Sequence, residues 1–294
     1  KSSGCFPERS RVGDSTSLAR KLLAKSPSVT MSSEEPETDL YELFHENTKM
    51  RRHDRTYAAR VSFISNNPDL QKKLKGCFKR YDGVPRVELP EEFPLNERTF
   101  DKAVTDRRSV REFSGHPLTL GEIAKLLHFA NGVTGELTGE NGEVLRYLRT
   151  SPSGGGLYPV EMYFVPVHAD DIDSGLYHYY PKDHELELLR GEEVKPELME
   201  ASPYPDIIES AGGVVVLSGM FERSTFKYED RGYRFVLFEA GHIAQNLCLT
   251  ATALGLGSVS LGGFIDREVE NSLGLDGVDE SVLYMVAVGS PAGQ

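Results

Sequence analysis

The sequence predicts an α+β fold, and patterns of strand and helix length support that prediction. Apolar runs at 160–167, 212–219 and 281–289 are typical of buried strands. Residues 235–254 form a long apolar stretch of helix length. No segment of the chain repeats with a period of 20–50 residues. Strands and helices mixed in this way along 294 residues favour the α+β class.

Two further elements follow from local signals. Thr119 and Glu122 form a capping box before an apolar periodic segment, and Gly132 follows that segment, which predicts a helix of about three turns. The segments 175–181 and 185–191 alternate in polarity on either side of a short turn, which predicts an antiparallel hairpin.

The long helix at 235–254 has apolar residues around nearly its whole circumference, so we expect burial on most of its sides. Small residues, Ala240, Gly241 and Ala244, would allow another helix to approach closely. A subunit interface and the core of a monomer explain this pattern equally well.

The chain divides by composition into three parts. Residues 1–30 are Ser-rich and basic and lack the apolar core of a secretory signal, so we expect a leader, a tag or a disordered segment. Residues 31–98 are expected to be a partly helical N-terminal extension. Its Pro-rich, acidic stretch at 84–96 is expected to be a linker or an extended arm. Residues 99–294 are expected to form the main domain.

Composition argues against several classes of function. The formal net charge of −12 disfavours nucleic-acid binding, and no apolar run reaches the ~20 residues of a membrane span. Cys5, Cys77 and Cys248 are widely spaced and suggest neither a disulfide framework nor a zinc site. We therefore expect a cytoplasmic protein without a metal site.

A cluster of guanidinium groups lies at 106–113, the sequence DRRSVREF. It contains Arg107, Arg108, Ser109 and Arg111 around an expected helix start. Guanidinium groups bind phosphate and carboxylate oxygens with two hydrogen bonds. A solvated basic turn is an equally good explanation of this composition.

A glycine-rich loop precedes the strand at 160–167. Ser151, Ser153 and Gly154–Gly156 would allow a flat ligand to approach the backbone closely. The loop has neither a Walker A ending nor the GxGxxG pattern, and the second glycine-rich turn, at 255–264, does not open a dinucleotide-type helix. A structural turn explains either stretch alone. Together with the arginine cluster, they favour a phosphorylated planar cofactor.

Lys227 and Tyr228 form a candidate acid–base pair. An ammonium group beside a phenol can lower the pKa of the phenol, as a general base requires. An exposed pair without a chemical role is the alternative. A nucleophilic hydrolase is disfavoured, because Ser218 has no GxSxG context and Cys248 lies in an apolar helix.

Five blocks in this order resemble the nitroreductase-like flavoproteins, specifically the SagB-type (thiazole/oxazole-forming azoline) dehydrogenases. The blocks are FHENTKM, RRSVREF, SPSGGGLYPVE, KYEDRGYRFVLFEAGHIAQNL and LGLGSVSLGGF. The resemblance implies an FMN fold with a mixed or antiparallel central sheet flanked by helices. It also implies an intertwined homodimer with the flavin at the subunit interface.

The resemblance assigns roles to matching positions. Many relatives carry a basic phosphate contact near the C-terminus, whereas this sequence ends in VGSPAGQ. The residues so assigned are Arg107, Arg108, Ser109 and Arg111 for the FMN phosphate and ribityl chain, Ser151, Ser153 and Gly154 for the isoalloxazine, Gly262 and Gly263 near the ring, Gln245 and Asn246 near the cofactor, and Lys227 and Tyr228 for catalysis.

Three functions agree with this resemblance. In the first, Tyr228, assisted by Lys227, helps to remove a proton from an azoline ring of a peptide or small molecule, and FMN is the redox cofactor. In the second, NAD(P)H is the reductant for a nitro compound, a quinone or an enone. In the third, the chain is a catalytically silent flavin-binding subunit. Biosynthetic partner enzymes are expected in the first and third cases.

Overall fold

The computed structural model describes residues 39–52, 54–74 and 78–293. The predicted leader at 1–30 lies outside the described residues. The described residues divide into two units, with the boundary between Asn47 and Thr48. The described part of the first unit contains the helix α1, Leu40–Asn47. All other elements belong to the second unit.

The second unit contains a seven-stranded antiparallel sheet, which confirms the α+β prediction. Its spatial order is β1-β6-β5-β4-β7-β9-β8, and a separate hairpin pairs β2 with β3. The strands are β1 (Arg86–Glu88), β2 (Val133–Thr138), β3 (Val144–Arg149), β4 (Val160–Pro166), β5 (Leu176–Tyr180), β6 (Glu185–Arg190), β7 (Gly213–Met220), β8 (Gly257–Leu261) and β9 (Glu280–Gly289). The helices are α2 (Arg55–Asn66), α3 (Pro68–Leu74), α4 (Phe100–Asp106), α5 (Leu120–Asn131), α6 (Lys195–Glu200), α7 (Pro205–Ser210), α8 (Phe221–Tyr228), α9 (Arg231–Ala253) and α10 (Asp266–Leu273).

The predicted core strands are confirmed. Every residue of β4 is buried, and β4 pairs with β5 on one side and β7 on the other. The predicted hairpin is the β5–β6 pair. Apolar side chains on the two faces of the sheet form two separate core clusters. Because β4 is covered on both faces, its position fixes the end of the glycine-rich loop that precedes it.

The two predicted helices are also present. In α5, Thr119 accepts from the Glu122 amide and the Glu122 carboxylate accepts from the Thr119 amide, so the capping box forms. The long helix α9 begins at Arg231, earlier than predicted, and packs against α5. Its expected burial on most sides is wrong for the single chain: Leu237 is 41% exposed and Phe238 is 56% exposed.

The stretch at 84–96 is not simply a linker. Arg86–Glu88 forms the edge strand β1, which pairs with β6, and Leu89 is buried in the core. Only the expectation that the stretch contributes nothing to the core is wrong. Prolines and acids dominate its composition, and a three-residue edge strand produces almost no periodic signal. Among the described helices, none is both long and apolar enough to cross a membrane.

Candidate functional site

The loop between β3 and β4 is held in a compact shape by its own hydrogen bonds. The Tyr158 hydroxyl accepts from the Arg149 amide at 3.0 Å, and the Ser153 hydroxyl accepts from the Tyr158 amide at 2.8 Å. Gly155 and Gly156 have φ values of 70° and 64°, in the left-handed region that side chains disfavour. The backbone conformation of the loop therefore requires glycine at positions 155 and 156.

The two serines of the loop have different environments. Ser151 is fully buried, and its hydroxyl donates to Asn131 Oδ1 at 2.6 Å. The structure therefore uses this hydroxyl internally rather than presenting it to a ligand. Ser153 instead lines a cavity of about 250 Å³ together with Gly154, Phe235 and other residues of α9. Of the two predicted donors, Ser153 is the one placed beside open space.

The predicted Lys227–Tyr228 pair lies against this loop. Both residues occupy the last turn of α8, and the Lys227 Nζ atom lies 5.3 Å from the centroid of the Tyr228 ring. A Cβ atom added to Gly155 would lie 2.4 Å from the Tyr228 hydroxyl oxygen and 3.2 Å from Lys227 Nζ. A bare glycine at this position thus allows both functional groups to contact the loop.

The pKa shifts of Lys227 and Tyr228 differ from the expectation based on the sequence. Burial, with a smaller contribution from Tyr57, raises the pKa of Tyr228 above its ordinary value. Burial and the nearby positive charge of Arg146 lower the pKa of Lys227. The expectation that Lys227 would lower the pKa of the phenol is therefore wrong for this structure. Burial thus favours the uncharged form of each group, the amine of Lys227 and the phenol of Tyr228.

Arg146, on β3, connects the loop to the N-terminal part of the second unit. Its guanidinium donates to the Gly155 carbonyl oxygen and to the side-chain oxygen of Gln71 in α3. Sequence reasoning missed this residue, because nothing in the local pattern marks an arginine on a short hairpin. The contact means that α3 helps to hold the loop from outside the predicted main domain.

Below the loop, the start of β4 enters a buried charged cluster. Glu161 forms an ion pair with Arg223 at 2.5 Å, and His178 lies between Glu161 and Glu187 at 3.1 and 2.9 Å. Although burial acts in the opposite direction, Arg223 and His178 lower the pKa of Glu161 to about 2. This cluster fixes one end of the loop without using any predicted site residue.

The arginine segment lies after the end of a helix rather than at its start. Helix α4 ends at Asp106, and Arg107 is its C-cap, so the predicted helix start is wrong. The Arg108 guanidinium donates to the carbonyl oxygens of Thr105 and Arg107, which are free at a helix C-terminus. The segment then pairs with β8, where the Val110 amide donates to the Ser258 carbonyl.

The arginine side chains remain available for an anion. Arg108, Ser109 and Arg111 are exposed, and Arg107 is partly exposed. Within the part of the chain that the structure describes, none of the three guanidiniums forms an ion pair with a carboxylate. Uncompensated guanidiniums of this kind fit the phosphate of a cofactor such as FMN.

Gly262 and Gly263 follow the end of β8 and are exposed. A Cβ atom added to either would make only ordinary contacts, at 3.5 Å from Tyr284 and 3.8 Å from Pro203. Neither position has a left-handed φ value, so the packing of this chain does not require glycine here. Two bare, exposed glycines instead fit the approach of a flat ring.

The remaining predicted residues lie on the C-terminal half of α9. Gln245 is exposed, and the Asn246 amide donates to the Ala130 carbonyl at 3.4 Å. Asn246 also lines a second cavity, of about 340 Å³, together with Phe100 and Phe129. Among the described residues, no hydrogen bond joins the arginine segment to the glycine-rich loop. The predicted cofactor residues thus form separate groups within one chain.

A comparison with protein families finds a match to the nitroreductase family over residues 104–290. The protein named "Putative nitroreductase MJ1384" from Methanocaldococcus jannaschii is 37% identical over 203 residues, which cover 69% of this chain and 95% of that protein. Among solved structures, a "putative nitroreductase" from Anabaena variabilis has a TM-score of 0.64 and 26% identity. That match covers 84% of this chain but only 45% of the longer Anabaena chain.

Two further relatives are named as processing proteins. The trifolitoxin-processing protein TfxB of Rhizobium leguminosarum bv. trifolii is 32% identical over 71% of this chain and 58% of its own length. The microcin B17-processing protein McbC of Escherichia coli is 31% identical over 44% of this chain and 49% of its own length. The chain thus spans about half the length of these two relatives.

Proposed function

Because the chain belongs to the nitroreductase family, we propose that it is an FMN-dependent oxidoreductase of the SagB type that oxidises azoline-like rings. The observation that carries this proposal is the contact of Gly155 with the Lys227 and Tyr228 side chains. It puts a candidate proton acceptor and a phenol beside the loop that is proposed to receive the flavin.

The described residues fit FMN in two places. Arg107, Arg108 and Arg111 would hold the phosphate, since their guanidiniums are not neutralised by carboxylates within the described residues. Gly262, Gly263 and the cavity beside Ser153 would accept the flat ring. When bound, FMN supplies the two-electron redox chemistry.

The protein's own contribution is the control of a proton. Lys227 is 5% exposed, and both its burial and Arg146 lower the pKa of its amine. A lowered pKa suits an amine that accepts a proton from a substrate carbon. Tyr228 keeps its phenol protonated and can donate a hydrogen bond to the substrate. This reverses the roles that the sequence suggested, with Lys227 as the base and Tyr228 as the positioning donor.

The names of two relatives support a peptide substrate. TfxB is called a trifolitoxin-processing protein and McbC a microcin B17-processing protein. We therefore favour an azoline ring within a peptide, and we expect partner enzymes that form that ring. A homodimer would complete the flavin site, since the predicted cofactor residues are separated within one chain and α9 exposes Leu237 and Phe238.

The proposal is tested by two measurements on the purified protein. We expect it to bind FMN and to oxidise an azoline-containing peptide with consumption of oxygen. Lys227→Ala should lower turnover by about 10²–10⁴-fold, the usual contribution of a general base. Tyr228→Phe should lower it less.

Both variants should keep their FMN affinity, and Lys102→Ala, at an exposed lysine outside the site, serves as the matched control. A protein that never takes up FMN, or full azoline oxidation by Lys227→Ala, would contradict the proposal. An absence of oxidation with a normal flavin would point to a silent flavin-binding subunit.

The second candidate is an NAD(P)H-dependent nitro, quinone or enone reductase. It is favoured by the 37% identity to the Methanocaldococcus jannaschii protein over 95% of that protein's length. Rapid anaerobic bleaching of the flavin absorbance by NADH or NADPH, followed by reoxidation with a quinone, would favour this function over azoline oxidation.

A further inference from the structure

Glu239 is a buried carboxyl group that sequence reasoning did not single out. It lies in α9 with 1% of its surface exposed, and it lines the cavity of about 250 Å³ beside Ser153 and Gly154. The other walls of this cavity include the rings of Phe235 and Phe238. An acid in a largely apolar segment, FVLFEAGHIA, is the only sequence signal that marks it.

Among the described residues, one oxygen of Glu239 has a partner within hydrogen-bond distance and the other has none. Oε1 accepts from the Val160 amide at 3.3 Å, at the end of the glycine-rich loop. Oε2 is buried and has no hydrogen-bond partner among the described residues. Buried polar atoms nearly always have a partner, and an unpartnered one is costly. The cavity that Glu239 lines is the natural place for the missing partner.

The charged groups around Glu239 do not neutralise it. Arg149 is a cation that acts on Glu239, and its guanidinium lies 4.9 and 4.6 Å from the centroids of the Phe78 and Tyr158 rings. Within the described residues, no ion pair joins Arg149 to Glu239. Burial raises the pKa of Glu239 to about 7, with Ser153, the Val160 amide and Arg149 opposing and Glu161 adding to the increase. His242, on the same helix, lines the same cavity.

We propose that Glu239 is a ligand-contacting residue, whose neutral carboxyl group donates a hydrogen bond from Oε2 to an acceptor atom of the planar molecule that occupies the loop cavity. In the proposed function, on which this inference rests, that molecule is FMN. The apolar rings of the cavity would contact its faces, and Glu239 would supply a polar contact in addition to that of Ser153.

Binding of the planar ligand is therefore coupled to protonation of Glu239. A carboxylate cannot donate this hydrogen bond, so the bound form must keep the proton. At pH 8 most of Glu239 is ionised in the free protein, and binding must take up close to one proton. At pH 6 Glu239 already holds its proton, and binding should take up almost none.

The test is calorimetric titration of FMN into the protein freed of flavin, in buffers with different heats of ionisation, between pH 6 and pH 8.5. For the native sequence we expect an uptake of close to one proton at pH 8 and an affinity that falls by up to about tenfold per pH unit above pH 7. Glu239→Gln keeps a donor of the same shape but cannot titrate, so it should bind with no proton uptake. His242→Gln is the matched control, because it changes another polar side chain that lines the same cavity, and it should retain the uptake.

A second measurement does not depend on the flavin. The infrared carbonyl band of a neutral carboxylic acid should be present at pH 6 in the flavin-free protein and absent in Glu239→Gln. FMN binding without proton uptake at pH 8, or equal uptake by Glu239→Gln, would overturn this inference and leave the proposed function intact. A failure of FMN to bind at any pH would overturn both.

Discussion

Glu161 and Glu239 are two buried carboxyl groups near the end of the same loop, and their environments produce opposite charge states. Glu161 is 2% exposed, and Arg223 and His178 overcome the effect of burial to bring its pKa to about 2. Glu239 is 1% exposed, and burial dominates, so its pKa rises to about 7. Equal burial therefore does not determine the charge of a carboxyl group; the partner that is hydrogen-bonded to it does.

The difference in pKa gives Glu161 and Glu239 different roles, although both lie near the end of the same loop. Glu161 is a structural anion, because its charge is matched by Arg223 and His178 at 2.5 and 3.1 Å. In Glu239, Oε2 has no hydrogen-bond partner among the described residues, and the pKa is about 7, so the carboxyl group can exchange a proton near neutral pH. The following substitutions would break or sharpen this contrast.

The largest effect is expected for Glu161→Gln. This change removes the carboxylate that pairs with the Arg223 guanidinium, whose side chain is only 14% exposed. Breaking a buried pair costs about 3–5 kcal/mol, and urea unfolding at pH 7 would measure it. Because the pKa of Glu161 is lowered in the folded protein, its contribution is complete above pH 4.5 and is lost as the pH falls through about 2. An equal loss of stability at pH 7 and pH 2 would contradict the paired-anion interpretation.

Glu239→Gln should have the opposite pH dependence. The raised pKa means that the stability contributed by Glu239 is complete below pH 4.5 and is lost as the pH rises through about 7. The free energy of unfolding of the variant, relative to the native sequence, should therefore increase by about 3 kcal/mol between pH 4 and pH 8. Urea unfolding at both pH values measures this difference. A constant difference would show that Glu239 titrates normally.

Gly155→Ala tests whether the loop keeps Glu239 buried. Its new methyl group would lie 2.4 Å from the Tyr228 hydroxyl oxygen, whereas Gly142→Ala, at a similar φ of 75°, would meet no atom within 4 Å. Both variants should lose about 1–2 kcal/mol from the left-handed backbone, and Gly155→Ala should lose more. If the loop moves away from α8, the infrared carbonyl band of Glu239 should disappear at a lower pH in Gly155→Ala but not in Gly142→Ala.

The smallest effect is expected for Glu229→Gln. Glu229 pairs with Arg60 at 3.6 Å, and the two side chains are 41% and 45% exposed. An ion pair in this environment contributes less than about 1 kcal/mol and is weakened by salt. Urea unfolding at low and high salt would check this. A loss comparable to that of Glu161→Gln would mean that pairing alone, without burial, explains the contrast.

Elements with a clear period were predictable from the sequence. The capping box of α5 and the buried strands β4, β7 and β9 are determined by residues close together in the sequence. A short window of the sequence therefore contains enough information to predict them. The arginine segment was placed at a helix start because its charges were interpreted without Thr99. The Thr99 hydroxyl accepts from the Lys102 amide and starts α4 about two turns earlier, so the helix is already complete at Asp106.

The electrostatics of the site could not be predicted in the same way. The lowered pKa of Lys227 depends on burial and on Arg146, which is 81 positions away in the sequence and reaches it only through folding. The raised pKa of Glu239 likewise depends on its three-dimensional surroundings, because its second oxygen is buried without a hydrogen-bond partner among the described residues. Residue types and spacing located the loop and the Lys–Tyr pair, whereas charge states required the three-dimensional contacts.

The short strand β1 has a consequence for solubility. It covers the outer edge of β6, whose backbone groups at Glu185–Arg190 would otherwise be open to another chain. Its exposed Arg86 and Glu88 place one charge of each sign on the new edge, which discourages sheet-to-sheet aggregation. The family match begins only at residue 104. A protein shortened to that domain would lack β1, so we expect it to self-associate along the open edge of β6.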